Sequence, residues 1–120
     1  MATYKLDDKQ PHPFWDKTLA PRVRVQPGDT VIFETLEASA NQVTPASGHE
    51  VVASLDFGLI HPLTGPVYVE GAEPGDALEV EIISIKHKGW GWNAVIPGFG
   101  LLPNDFSSPY LHHYTMTATE

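Results

Sequence analysis

His-Pro-Leu-Thr-Gly-Pro-Val-Tyr-Val-Glu-Gly-Ala-Glu-Pro-Gly-Asp-Ala-Leu-Glu-Val-Glu-Ile, residues 61 to 82, reads as turn, strand, turn, strand. Pro62 and Pro66 fix their own φ and push His61 and Gly65 out of the helical region, which gives an extended, turn-rich entry. Val67 to Glu70 then form a short strand. Pro74-Gly75-Asp76 supplies a reversal, with proline presetting one turn position and glycine accepting positive φ at the next. Leu78, Val80 and Ile82 fall on one face of the following strand, Glu79 and Glu81 on the other.

The same punctuation occurs upstream. Pro27-Gly28-Asp29 launches Thr30 to Thr35 as Pro74-Gly75-Asp76 launches Ala77 onward, and Arg22 to Val25 alternates charged and apolar residues as a half-buried strand does. Thr3 to Leu6 is a further short strand. Leu36 to Asp56 gives no clear period, and Pro45 would stop any helix begun before it. Ile83 and Ile85 break the phase set by Leu78, Val80 and Ile82, as a bulge or a strand apolar on both faces would. Trp90 and Trp92, two apart, share a face if extended and are expected to pack a core or a subunit contact, the alternative being the lining of an apolar pocket. Tyr110 to Thr119 reads as a last strand.

Ten glycines, eleven prolines and seven or so short strands without a convincing long helix define the class. It is mainly β: a β-sandwich or partly closed barrel of short, mostly antiparallel strands with long loops. A chain of 120 residues is expected to form one domain over 1–120. Fifteen acidic residues against seven basic ones give a formal net charge of -8. That balance argues against nucleic acid and anionic membranes as partners, since both select lysine and arginine clusters. No cysteine is present, so disulfides, thiolate metal sites and a cysteine nucleophile are excluded. No apolar run approaches the ~20 residues of a membrane span, and a soluble, cytoplasmic protein is expected.

The run from His61 to Asp76, continued by Leu78-Glu79-Val80-Glu81-Ile82, closely resembles the signature of the acetamidase/formamidase family. Val25-Gln26-Pro27-Gly28-Asp29-Thr30-Val31-Ile32-Phe33-Glu34-Thr35 resembles that family's opening strand, and Pro97-Gly98-Phe99-Gly100 its later glycine-rich loop. The resemblance covers about His12 to Leu102 and is to the N-terminal part of a longer family architecture. It implies hydrolysis of short-chain amides such as formamide and acetamide to the carboxylate and ammonia. It also implies a β fold, an oligomeric state and, in some members, a bound divalent metal, zinc or calcium.

Amide hydrolysis needs an activated water or nucleophile, a stabiliser for the developing oxyanion and an acid for the departing amine. His61 is the candidate for metal ligation or proton transfer; its alternative is a turn cap. Glu70, ending a strand before Gly71, is a candidate catalytic carboxylate or a surface residue. Glu34 and Glu37, with Gln42, form a polar group in which a desolvated carboxylate would act as a base; their alternative is solvated loop. Glu79 and Glu81 read as solvated. His112 and His113 point to opposite strand faces, so at most one would ligate a given ion.

Two functions follow. The first is an amidohydrolase of this family. The second is a non-catalytic oligomeric β module that binds a small ligand or partner. The exposed edge of a last strand favours a homo-oligomer, a dimer or larger. A cupin-like barrel shares the Pro-Gly-Asp turns but lacks closely spaced strand histidines.

Overall fold

A computed structural model describes residues 1–118. Its elements are β1 (Thr3–Leu6), β2 (Val23–Val25), β3 (Thr30–Phe33), a 3-10 turn (His49–Ala53), β4 (Val67–Val69), β5 (Trp90–Val95) and β6 (Tyr110–Thr115). The mainly β class expected from the sequence is the class found. No described helix is long and apolar enough to cross a membrane.

The residues distribute into two compact units, Met1–Asn41 with Phe57–Glu79, and Gln42–Asp56 with Val80–Glu120. In the first unit, β1 pairs with β3 and β2 with β4, both parallel. This differs from the expected, mostly antiparallel pairing, which among the described residues is found in β5–β6 and in the isolated His12–Leu63 bridge. The hairpin-like punctuation misleads because the turn at Gln26–Asp29 joins β2 to β3, whose partners lie elsewhere. The ladders extend past their strands: Thr30 N–H donates to Ala2 O, Glu34 N–H to Leu6 O, and Glu70 N–H to Val25 O. Leu6 and Val25 are the buried apolar residues of this unit. Across β2 and β4, the Arg24 guanidinium lies 3.8 Å over the Tyr68 ring, its register partner.

The two Pro-Gly-Asp turns have one construction. In Gln26–Asp29, Asp29 N–H donates to Gln26 O, and Gln26 N–H donates back to the Asp29 carboxylate. In Glu73–Asp76, Asp76 N–H donates to Glu73 O and Glu73 N–H to the Asp76 carboxylate. Gly28 and Gly75 sit at φ 93° and 105°, where a side chain would be strained. Hydrogen bonds from the Ala2 and Gln26 amides hold the Asp29 carboxyl below the usual range.

In the second unit β5 and β6 form an antiparallel pair in the register Trp90↔Thr115 to Val95↔Tyr110. Trp90, Trp92 and Ala94 pack against a core of Val43, Val52 and Leu111, as the i, i+2 spacing of the tryptophans suggests. Leu111 N–H donates to His49 Nδ1, which ties β6 to the 3-10 turn. His112 and His113 do diverge. His113 Nε2 lies 3.0 Å from Thr44 O, whereas the His112 ring meets Tyr114 edge-on. The last strand ends at Thr115, with Met116 N–H still donating to Gly89 O, and Thr119 lies outside the described residues.

The strand expected at Leu78 to Ile82 is not formed as part of a ladder. Ala77 to Lys88 run without a turn or bend and pair with no described strand, and Leu78 is exposed. The alternation that suggested a strand is real, but a strand is defined by its neighbour, and no described segment supplies one.

Candidate functional site

Glu37 begins the most tightly organised polar segment of the first unit. Its carboxylate accepts the Ser39 hydroxyl at 2.5 Å, the Ser39 amide at 3.0 Å and the Asn41 amide at 2.5 Å. Ser39 is the buried polar residue among those described, 1% exposed. Around this carboxylate the backbone turns left-handed at Ala40 (φ 57°) and Asn41 (φ 64°). Asparagine tolerates that region and alanine does so at a cost of about 1–2 kcal/mol, so converging charge-assisted hydrogen bonds are what hold the loop.

His61 joins the same loop. Its amide donates to Ala38 O at 2.7 Å, and it is the remaining non-glycine residue in the left-handed region among those described, at φ 55°. Three residues on, Thr64 Oγ1 donates to Glu34 O at 2.7 Å. These two hydrogen bonds hold 34–41 against 61–64, so Glu34, Glu37 and His61, far apart in sequence, belong to one neighbourhood. Left-handed non-glycine residues concentrated in such a place are a recognised mark of functional loops. The His61 side chain is exposed, whereas Glu34 and Glu37 are half-buried.

Glu34 and Glu70 are engaged in ion pairs. Lys5 Nζ lies 2.6 Å from Glu34 Oε1, and this hydrogen bond raises the lysine pKa above its ordinary value. Arg24 Nε donates to Glu70 Oε1 at 2.8 Å. Glu70 thus belongs to the β2–β4 pair and is not tied to the Glu37–His61 neighbourhood by the hydrogen bonds that gather the other three. Sequence reading missed Ser39, Asn41 and Thr64. Glu-x-Ser-x-Asn is a usable signal in retrospect, because a carboxylate two and four residues before short polar residues can close a loop on itself.

A metal was expected at His61. Among the described residues no group of three or more histidine, aspartate or glutamate side chains converges as a metal site. His61 and the carboxylates described above do not by themselves supply three converging ligands, and no chemical step is routed through a metal. A shallow depression of about 270 Å³ in the first unit is lined by Val67 to Val69, Ala72, Glu73 and Asp76 to Leu78, and contains none of the four candidates.

Comparison with known proteins agrees with the signature. Residues 2–119 match the model of the Acetamidase/Formamidase family. The chain is 32% identical over 105 residues to a formamidase of Methylophilus methylotrophus, covering 82% of this chain and 26% of that protein. It is 30% identical over 112 residues to an acetamidase of Mycolicibacterium smegmatis, covering 82% and 28%. The crystal structure of an acetamidase from Bacillus halodurans superposes with a TM-score of 0.85 at 37% identity, covering 95% of this chain and 38% of that one. A β chain with this signature and this superposition is of the amidase type in fold. The chain belongs to the acetamidase/formamidase family, and spans about a quarter of the length of the curated relatives it matches.

Proposed function

We propose that this chain serves the hydrolysis of short-chain amides, formamide and acetamide, to the carboxylate and ammonia. Family membership carries the reading, and the loop pair around Glu37 and His61 supports it. His61, exposed and fixed by its backbone, is assigned proton transfer to the departing amine or from water. Glu37 positions the loop that His61 joins, and the half-buried Glu34 carboxylate, whose backbone carbonyl accepts the Thr64 hydroxyl, is assigned the role of base. Glu70, paired with Arg24, fixes the β2–β4 edge in this reading. A divalent metal enters only with ligands beyond those the described residues bring together.

The test is ammonia release from both amides by the purified 120-residue chain, with and without added zinc or calcium. Turnover in any arm is the expected result. Complete inactivity in every arm would contradict activity for this chain by itself. It would favour the second reading, a non-catalytic oligomeric β module. One observation supports that reading: Glu34 and Glu70 are in ion pairs while several large apolar residues are exposed.

A further inference from the structure

Glu34, in the first unit, is fixed at three points. Its amide donates to Leu6 O at 2.8 Å, its carboxylate takes the Lys5 ammonium at 2.6 Å, and its carbonyl accepts the Thr64 hydroxyl at 2.7 Å. The strip 61–64 is held along its other edge as well. His12 N–H donates to Leu63 O at 3.1 Å, and Leu63 N–H to His12 O at 2.9 Å, in an antiparallel bridge.

Two bonds described above join these held segments, His61 N–H to Ala38 O and the Thr64 hydroxyl to Glu34 O. The first is made by backbone, which any residue except proline would supply. The second is made by a side chain, and it closes on the residue that carries the assigned base. Threonine suits the place because its branched Cβ restricts χ1, so the backbone of the strip aims the half-buried hydroxyl.

We propose that Thr64 is a positioning residue whose hydroxyl, through Glu34 O, sets the separation of the Glu34 carboxylate from His61. In this role it touches no reacting atom and acts only through where the other two groups sit. Its catalytic meaning rests on the amidase reading given above, whereas its hold on the strip does not, so the two are measured separately. Valine keeps the shape of threonine and removes the donor, and serine keeps the donor and loses a methyl group.

Amide hydrogen exchange reads the hold. In Thr64→Val the His61 amide, bonded to Ala38 O, should exchange about 10-fold faster, while the Leu63 amide, bonded to His12 O on the other edge, keeps its wild-type rate. Ammonia release from formamide at matched folded fraction reads the chemistry. There kcat should fall roughly 10-fold or more with KM changed by less than about twofold, since 1 Å of misplacement costs up to about 100-fold in rate. Thr64→Ser should restore both quantities, and Thr64→Ala takes the place of the valine variant if that one does not fold. Wild-type exchange at His61 in the donorless variant would overturn the proposal. So would equal acceleration at His61 and Leu63, which marks general loosening, failure of serine to restore either quantity, or an unchanged kcat in a chain that turns over. A wild-type chain that releases no ammonia would sink the amidase reading instead, and the exchange pattern alone would then decide for or against Thr64.

Discussion

Replacing Glu37 with alanine is expected to lower the unfolding free energy by about 3 kcal/mol, large against the usual effect of a half-exposed carboxylate. The substitution takes away the carboxylate that meets the buried Ser39 hydroxyl, the Ser39 amide and the Asn41 amide. Buried donors deprived of a partner lose the full desolvation cost, and the left-handed backbone at Ala40 and Asn41 loses its anchor. Glu37→Gln keeps one acceptor oxygen and the shape, and should lose about half as much. Urea denaturation of the three proteins side by side checks the ranking. Equal stability of Glu37→Ala and wild type would mean that the loop is held by something else.

Leu111→Ala is expected to cost a similar amount, about 3 kcal/mol, through lost transfer energy and an incompletely collapsed cavity. Leu111 is 5% exposed and is the largest of the three residues at the centre of the second unit's core, beside Val43 and Val52. So small a core has few other residues to relax into the space. Leu101→Ala is the matched control, because Leu101 is 99% exposed and its removal should change stability by no more than about 0.5 kcal/mol. Thermal unfolding followed by tryptophan fluorescence reports this unit directly, since Trp90 and Trp92 pack on that core.

The Glu37 effect arises in the segment whose sequence has no clear period, whereas Leu111 lies on a strand that the sequence announced. The Pro-Gly-Asp turns were legible because proline, glycine and a short acid each have one local role, and β1 to β4 were found within two residues of their ends. Their partners were not legible. Parallel pairing of β1 with β3 and of β2 with β4 is decided by register between segments that the local pattern does not connect. β5 was hidden by Gly89 and Gly91, which weigh against a strand until the antiparallel partner is known. Leu78 to Ile82 failed in the opposite sense, with a full strand pattern and no neighbour.

For the site, the sequence supplied His61, Glu34 and Glu37 as chemical types but not their proximity. That comes from two hydrogen bonds, the backbone bond from His61 N–H to Ala38 O and the side-chain bond from Thr64 Oγ1 to Glu34 O, and nothing in local composition announces them. Ala40 in the left-handed region is equally silent, because alanine has no preference for it. The carboxylate that makes the conformation tolerable is three residues away.

The proposed amide hydrolysis by the His61–Glu37 loop pair is measured most directly as ammonia release from formamide by wild type and His61→Asn at matched folded fraction. Release by the wild-type chain and a loss of at least about 100-fold in the variant are expected, the scale of a missing proton-transfer group. Equal rates in the two proteins would contradict it.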